Sequence, residues 1–343
     1  LIYNGYTIQP FSPKAGTGLS SHELNQPGCY KMVKDTSVTA QFLLPAENSP
    51  FSVKENVYLI AWTTTPWTLP SNTALAVNRN VDYVLVKTIN QYTKKEIHVV
   101  LAKKLITKVF SAPYVSKEIA KISEKQITYE VIQTFKGSLL ENLKYAQLLE
   151  LAKPYLSPEK AFKIIHADFV STEDGTGIVH IAPTFGADDA KAAQESDVPG
   201  MLIKNQSNDL VPLVNQKGQF IDGLGSLGGK YVKNEYYDKN EYPDKSVDVE
   251  IAIKLKEKNK AFKVEKYEHS YPHCWRTDKP ILYYPLDSWF IKVSEFKGQM
   301  SNLNKKINWK PKSTGEGRFG NWLENANDWN LSRSRFWGIP IPI

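Results

Sequence analysis

Three adjacent threonines, Thr63, Thr64 and Thr65, lie in a run, AWTTTPWTLPSNTALAVN, that also holds two indoles, two prolines and two asparagines. Hydroxyls at this density suit the orienting of a water molecule. Trp62 and Trp67 can supply rigid apolar walls for a small pocket, and Asn72 offers an amide that both donates and accepts. A second constellation lies far downstream in GTGIVHIAPTFGADD. His180 shares one face of an extended segment with Ile178 and Ala182, and Asp188 and Asp189 open an expected helix. A helix N-terminus keeps a carboxylate ionised, so Asp189 could grip a substrate ammonium, while Asp188 reads as the cap. No Ser-His-Asp or Cys-His nucleophile arrangement is evident, which points to attack by a positioned water without a covalent intermediate.

These side chains need elements to hold them. Val57 to Ile60 is an apolar run with β-forming residues and predicts a buried strand delivering the threonines. Pro66 and Pro70 oppose regular helix beyond it, and an extended chain places Thr63 and Thr65 on one side and Thr64 on the other. An edge strand with a Pro-rich turn is the plainer reading of the same residues. Phe162 to Val170, a turn at Asp174-Gly175, and Gly177 to Ala182 predict a hairpin, with a short helix over Asp188 to Asp197. Further strands are expected at Tyr83 to Val86, Ile97 to Leu101 and Ile127 to Phe135, and helical segments at Ala102 to Phe110 and Leu139 to Leu151. Leu1 to Leu44, rich in turn residues, reads as irregular connecting structure. Asp248 to Lys260 reads as a charged surface helix with Val247, Ile251 and Leu255 on one face. The fold class expected is α+β: a mainly β, barrel-like domain with short peripheral helices.

A chain of 343 residues suggests two or three units, and 41% hydrophobic residues describe a folded protein. Its formal charge of +7 modestly favours a polyanionic partner. Cys29 and Cys274 form no C-x-x-C pair, and the cluster of His269, His273 and Cys274 lacks a second thiol at ligand spacing, so no metal site is expected. With no apolar run of about 18 residues and no basic-then-apolar start, the expectation is a soluble, cytoplasmic protein without membrane contact. Two G-x-G-x-x-G strings, at Gly223, Gly225, Gly228 and at Gly315, Gly317, Gly320, follow no clear strand and read as turns.

WTTTPWTLPSN resembles the threonine-rich motif in the editing insertion (CP1) of isoleucyl-tRNA synthetases, class I enzymes, here of the eukaryotic-like type. Valyl and leucyl enzymes carry TTRP-type versions, and this chain has Thr65 in place of the arginine. GTGIVHIAPTFGADD is similar to the second editing motif, in which the histidine stands nine residues before the second aspartate, as His180 does before Asp189. GTGLSSHELNQPGCY resembles the lead-in to the insertion, HSYPHCWRTDKPILYYPLDSWFIKV the return to the catalytic core, and NDWNLSRSRFWGIPIPI the entry to the second half of the class I fold. The implied organisation is a connector over 1–48, an editing domain over 49–235, a return segment over 236–330 and the start of the catalytic second half over 331–343. Neither a HIGH-type nor a KMSKS-type string is present, so the chain resembles a middle portion of a larger synthetase.

The resemblance implies hydrolysis of mischarged valyl-tRNA(Ile), with Asp189 on the α-ammonium, Thr63, Thr64 and Thr65 orienting the water and the terminal adenosine, and His180 bordering the side-chain pocket. Trp62, Trp67, Thr68 and Asn72 would line the substrate site. No cofactor is implied for editing; ATP and Mg are expected only of the full-length ligase. The implied partners are the acceptor end of tRNA(Ile) and the catalytic core of the same parent chain. Selectivity would follow from size: a synthetic pocket discriminates weakly against one missing methylene, so a second pocket must admit valine and refuse isoleucine, a logic these enzymes themselves exemplify. A module that only binds the tRNA acceptor end is the first alternative, and a dinucleotide enzyme built on the glycine strings the second.

Overall fold

The computed structural model describes residues 1–332 apart from 54, 111, 114–127 and 239. Two compact units divide the chain, one formed by residues 10–284 and the other by residues 1–9 with 285–343.

The larger unit is built on a mixed seven-stranded sheet. From edge to edge its strands are Ala261–Pro272, Tyr30–Leu44, Val57–Thr63, Glu96–Ala102, Asp82–Ile89, Thr128–Lys136 and Ala112–Pro113. Ile60, Val84, Val86, Val99, Leu101 and Phe262 form one buried cluster on this sheet. Burying each such side chain contributes roughly 1.5–3 kcal/mol, so this layer fixes where the threonine strand ends. A three-stranded sheet adjoins it in the order Lys163–His166, Ala74–Val77, Val179–Ile181. Ala74, Ala76, Ile165 and Ile181 from that sheet pack with Ala192 and Ala193 of the helix Ala187–Glu195. The small residues of the helix let it lie close, and its first turn is thereby held near the end of the histidine strand.

Several expectations hold: α+β content, the strands around Tyr83 to Val86 and Ile97 to Leu101, and the short helix after Pro183. Ile127, the expected start of the next strand, lies outside the described residues, and the strand itself runs over Thr128–Lys136. Barrel closure is not observed among the described residues, where the Ala261–Pro272 and Ala112–Pro113 strands each end the sheet.

Other expectations are corrected. Leu1 to Leu44 is not irregular: Tyr30–Leu44 is a fifteen-residue strand paired on both sides, its lysines, aspartate and threonines matched against Ala261–Pro272. The compact unit therefore runs past 49–235 in both directions, because two strands and the helix Val247–Glu257 from outside that range pack into it. The hairpin does not form. Lys163–His166 pairs parallel with Ala74–Val77, Val179–Ile181 pairs antiparallel with the same strand, and those four apolar residues separate the two expected partners. Leu139 to Leu151 is not helical beyond a 3-10 turn at Gly137–Leu140; Asn142 turns left-handed, and Tyr145 and Ala146 give their N–H groups to Phe162 and Leu43. Val247–Glu257 is not a surface helix, since Asp248 is buried with Val247, Ile251 and Leu255.

In the smaller unit, helices Lys297–Asn304, Lys312–Glu316 and Arg318–Glu324 follow one another, and Trp329–Asn330 pairs with Phe290 and Ile291. Gly315, expected in a turn, instead belongs to the second of these helices, pressed against the Trp309 ring. Most of the expected 331–343 segment lies outside the described residues.

Candidate functional site

The strand Val57–Thr63 stops where Pro66 removes the next usable donor, and the chain turns into the 3-10 segment Pro66–Ser71. At the corner the Thr63 hydroxyl accepts the Thr65 N–H at 3.1 Å and lies 3.3 Å from the Thr65 hydroxyl. The two side chains expected on one side are therefore together. Thr64 is half-buried. Thr68 closes the turn, its hydroxyl donating to the Thr65 carbonyl at 2.9 Å.

His180 comes to this turn from the histidine strand. Its Nε2 is 2.9 Å from the Thr68 hydroxyl, and its Nδ1 is 3.4 Å from Asn72 Nδ2. An amide N–H can only donate, so Nδ1 is the acceptor and the ring proton belongs on Nε2, where it donates to Thr68. Asn72 is fixed in turn by the Ala74 carbonyl at 2.8 Å and by the Tyr145 hydroxyl, which donates to its Oδ1 at 2.7 Å. The result is one directed chain from Tyr145 through Asn72, His180 and Thr68 to the Thr65 carbonyl. Burial pushes the His180 ring down to about 4, so it is neutral at pH 7, as a ring that both donates and accepts must be.

Asp189 meets the chain just past that strand. Its Oδ2 accepts the Ala182 N–H at 2.9 Å, and a Cβ placed on Gly186 would come within 2.7 Å of its carboxyl carbon, so glycine there makes room for the carboxylate. The expected capping role of Asp188 is not seen: Gly186 occupies the cap position with no side-chain cap, and Asp188 is exposed. The dipole does not settle the charge of Asp189 alone. Burial raises its carboxyl to about 6, against the Ala182 N–H, which pulls it down.

The two motifs touch at several points. Besides the bonds at His180, the Trp67 ring lies 5.1 Å from Phe185 in the loop that leads to Asp189, and the Thr176 hydroxyl donates to the Ile60 carbonyl at 2.7 Å. Trp67 Nε1 is buried without a partner among the described residues. Trp62 takes no part in the bonds at His180 and Asp189 but lies beside Gly175 at the start of the second motif, where a Cβ would come within 3.3 Å of its ring. It alternates away from Thr63 along the strand and packs edge-on against Tyr267 at 4.9 Å. Thr68 and Asn72 are occupied in holding His180.

Two residues of this neighbourhood were not anticipated. Tyr145 fell in a stretch whose leucine spacing mimics a helix. Asp248 reads as an ordinary acidic residue in a helix first turn, yet its Oδ1 accepts the Trp67 N–H at 2.8 Å. Only the interruption of an apolar face next to Val247 could have drawn attention to it.

The chain matches, over residues 1–343, the model for class I tRNA synthetases (I, L, M and V). It is 58% identical over 356 residues to the isoleucine–tRNA ligase of Cytophaga hutchinsonii and 52% identical over 362 residues to that of Bacteroides fragilis, with all of this chain covered in both. The ligase of Clostridium acetobutylicum is 41% identical over 343 residues. The chain spans 31% of the length of the first two relatives and 28% of the third. Among solved structures, that of GlLeuRS-CP1 overlaps 67% of this chain and 98% of its own at 14% identity and a TM-score of 0.42, a likeness too distant to argue from. Matched along its whole length by one family model, the chain belongs to the class I tRNA synthetases.

Proposed function

We propose that this chain carries the editing hydrolase of an isoleucine–tRNA ligase and cleaves the ester of valyl-tRNA(Ile). The observation that carries this reading is the bonded unit joining the two motifs: His180 reaches Thr68 at 2.9 Å while Ala182, the first residue past the histidine strand, holds Asp189 at 2.9 Å. A carboxyl group and a hydroxyl-lined turn are thereby fixed to one short segment, His180 to Ala182, which is the arrangement an aminoacyl ester with a free ammonium calls for.

An aminoacyl ester is already an activated acyl group, so its hydrolysis needs a positioned water and a held substrate more than a protein nucleophile. Asp189 takes the α-ammonium; Thr63, Thr64 and Thr65 orient the water and the terminal adenosine; His180, neutral and fixed by Thr68 and Asn72, walls the side-chain pocket. Trp67 adds an apolar wall and an indole N–H. No cofactor enters this chemistry, whereas ATP and Mg serve the full-length ligase, whose catalytic core and tRNA(Ile) acceptor end are the partners proposed here.

Incubation with matched valyl-tRNA(Ile) and isoleucyl-tRNA(Ile) tests the proposal. The valyl ester is expected to be lost above the uncatalysed rate and the isoleucyl ester spared, and Asp189→Ala to abolish the difference. Equal loss of both esters, or full activity in the variant, would count against it; salt-sensitive tRNA binding without hydrolysis would favour a binding module.

A further inference from the structure

Among the described residues, Lys233 and Asp248 are buried charged side chains outside the hydrolytic set, and Asp248 bonds the threonine turn at Trp67. Lys233, only 6% exposed, sits 2.8 Å from Asp35 and 4.5 Å above the Tyr271 ring, and Asp35 also meets His269 at 3.2 Å. Asp248, 4% exposed, accepts the Trp67 N–H at 2.8 Å and lies within the electrostatic reach of Lys233, Asp35 and Glu235. Burial pushes the Asp248 carboxyl up to about 7, while Lys233 and the Trp67 N–H pull it down.

A buried carboxylate is expensive unless charge and hydrogen bonds compensate it. Here the compensation comes from the charge of Lys233, fifteen residues upstream, and from the one backbone N–H that the carboxylate accepts. That N–H belongs to the first turn of the Pro66–Ser71 segment, where a donor has no partner inside the turn itself. An apolar residue at 248 would leave it unpaired. The same turn carries Thr65, whose carbonyl ends the hydrogen-bond chain from His180.

We propose that Asp248 is a positioning residue for the threonine turn: braced by Lys233, its carboxylate clamps the backbone at Trp67 and thereby holds the Thr63–Thr65 hydroxyls where they meet the ester. The turn is then gripped at two adjacent residues, by Asp248 at Trp67 and by His180 at Thr68. The catalytic part of this statement rests on the editing reading; the clamp itself does not.

The test compares Asp248→Ala, which removes the acceptor, with Asp248→Asn, which keeps an acceptor and loses the charge, in the full chain. Backbone hydrogen exchange over the Pro66–Ser71 segment should speed up about tenfold or more in Asp248→Ala and remain near that of the parent in Asp248→Asn. In valyl-tRNA(Ile) deacylation, Asp248→Ala should lower kcat about tenfold or more with KM little changed, and Asp248→Asn should recover most of that loss. Unchanged exchange at the turn in Asp248→Ala, or a fall in thermal stability with kcat of the folded protein intact, would overturn the proposal. Should Asp248→Ala not fold, Lys233→Met serves in its place: faster exchange at the turn, reduced when Asp248→Asn is added, supports the clamp, and additive effects refute it. A parent chain that fails to deacylate at all defeats the editing reading alone, since the exchange arm still decides on Asp248.

Discussion

At the scale of single residues, the site depends on which groups carry charge. His180 must stay neutral, because a protonated ring has no acceptor for Asn72, and burial keeps it so by pushing it down to about 4. The ammonium contact proposed for Asp189 requires it ionised, yet burial raises it to about 6. Below that value the carboxyl is protonated and offers no charge; above it the ion pair can form. The kcat/KM for valyl-tRNA(Ile), after subtraction of the uncatalysed reaction, should therefore climb as pH rises through about 6. Asp189→Asn should flatten that limb as well as lower the activity. A profile of identical shape in parent and variant would show that some other group sets the limb.

At the scale of elements, the histidine strand is positioned by a close approach that only glycine permits. Gly177 has a φ of +74° and stands where a Cβ would come within 2.3 Å of the Ala102 Cβ, at the end of the strand Glu96–Ala102. Gly177→Ala should therefore cost about 1–3 kcal/mol from overpacking, beyond the backbone strain. Gly223→Ala is the control, since Gly223 has a φ of +88° but nothing within 4 Å. The urea midpoint should fall further for Gly177→Ala; equal shifts would mean that crowding at Ala102 does not matter. The Gly177 region also shows what was legible in the sequence. The return strand and its buried face of Ile178, His180 and Ala182 follow from alternation, and the threonine turn from its prolines. The partner of that strand does not follow, because a turn signal at Asp174-Gly175 says that the chain reverses and not that the two arms pair. Ala74–Val77 takes the place between them. Tyr30–Leu44 was obscured for a related reason: its Lys31, Lys34 and Asp35 look like loop residues until the charged strand beside it is known. Asp248 was hidden because an acidic residue in a helix first turn has an ordinary explanation in the helix dipole, and no local pattern distinguishes a carboxylate turned inward.

At the scale of the whole molecule, the question is how much chain the site requires. The threonine strand Val57–Thr63 pairs with Tyr30–Leu44 along its full length, and that strand in turn pairs with Ala261–Pro272. A protein restricted to residues 49–235 would lose both, leaving the threonine strand as a bare edge whose N–H and C=O groups face water or another copy. It would also lose the helix Val247–Glu257, and with it the Asp248 bond at the threonine turn. Residues 10–284, by contrast, contain every strand of the seven-stranded sheet and every residue of the site. The 10–284 protein should therefore unfold in one cooperative transition and retain valyl-tRNA(Ile) deacylation per mole close to that of the full chain. The 49–235 protein should aggregate or melt without a cooperative transition. Differential scanning calorimetry with the deacylation assay reads both, and a cooperative, active 49–235 protein would show that the outer strands serve something other than the site.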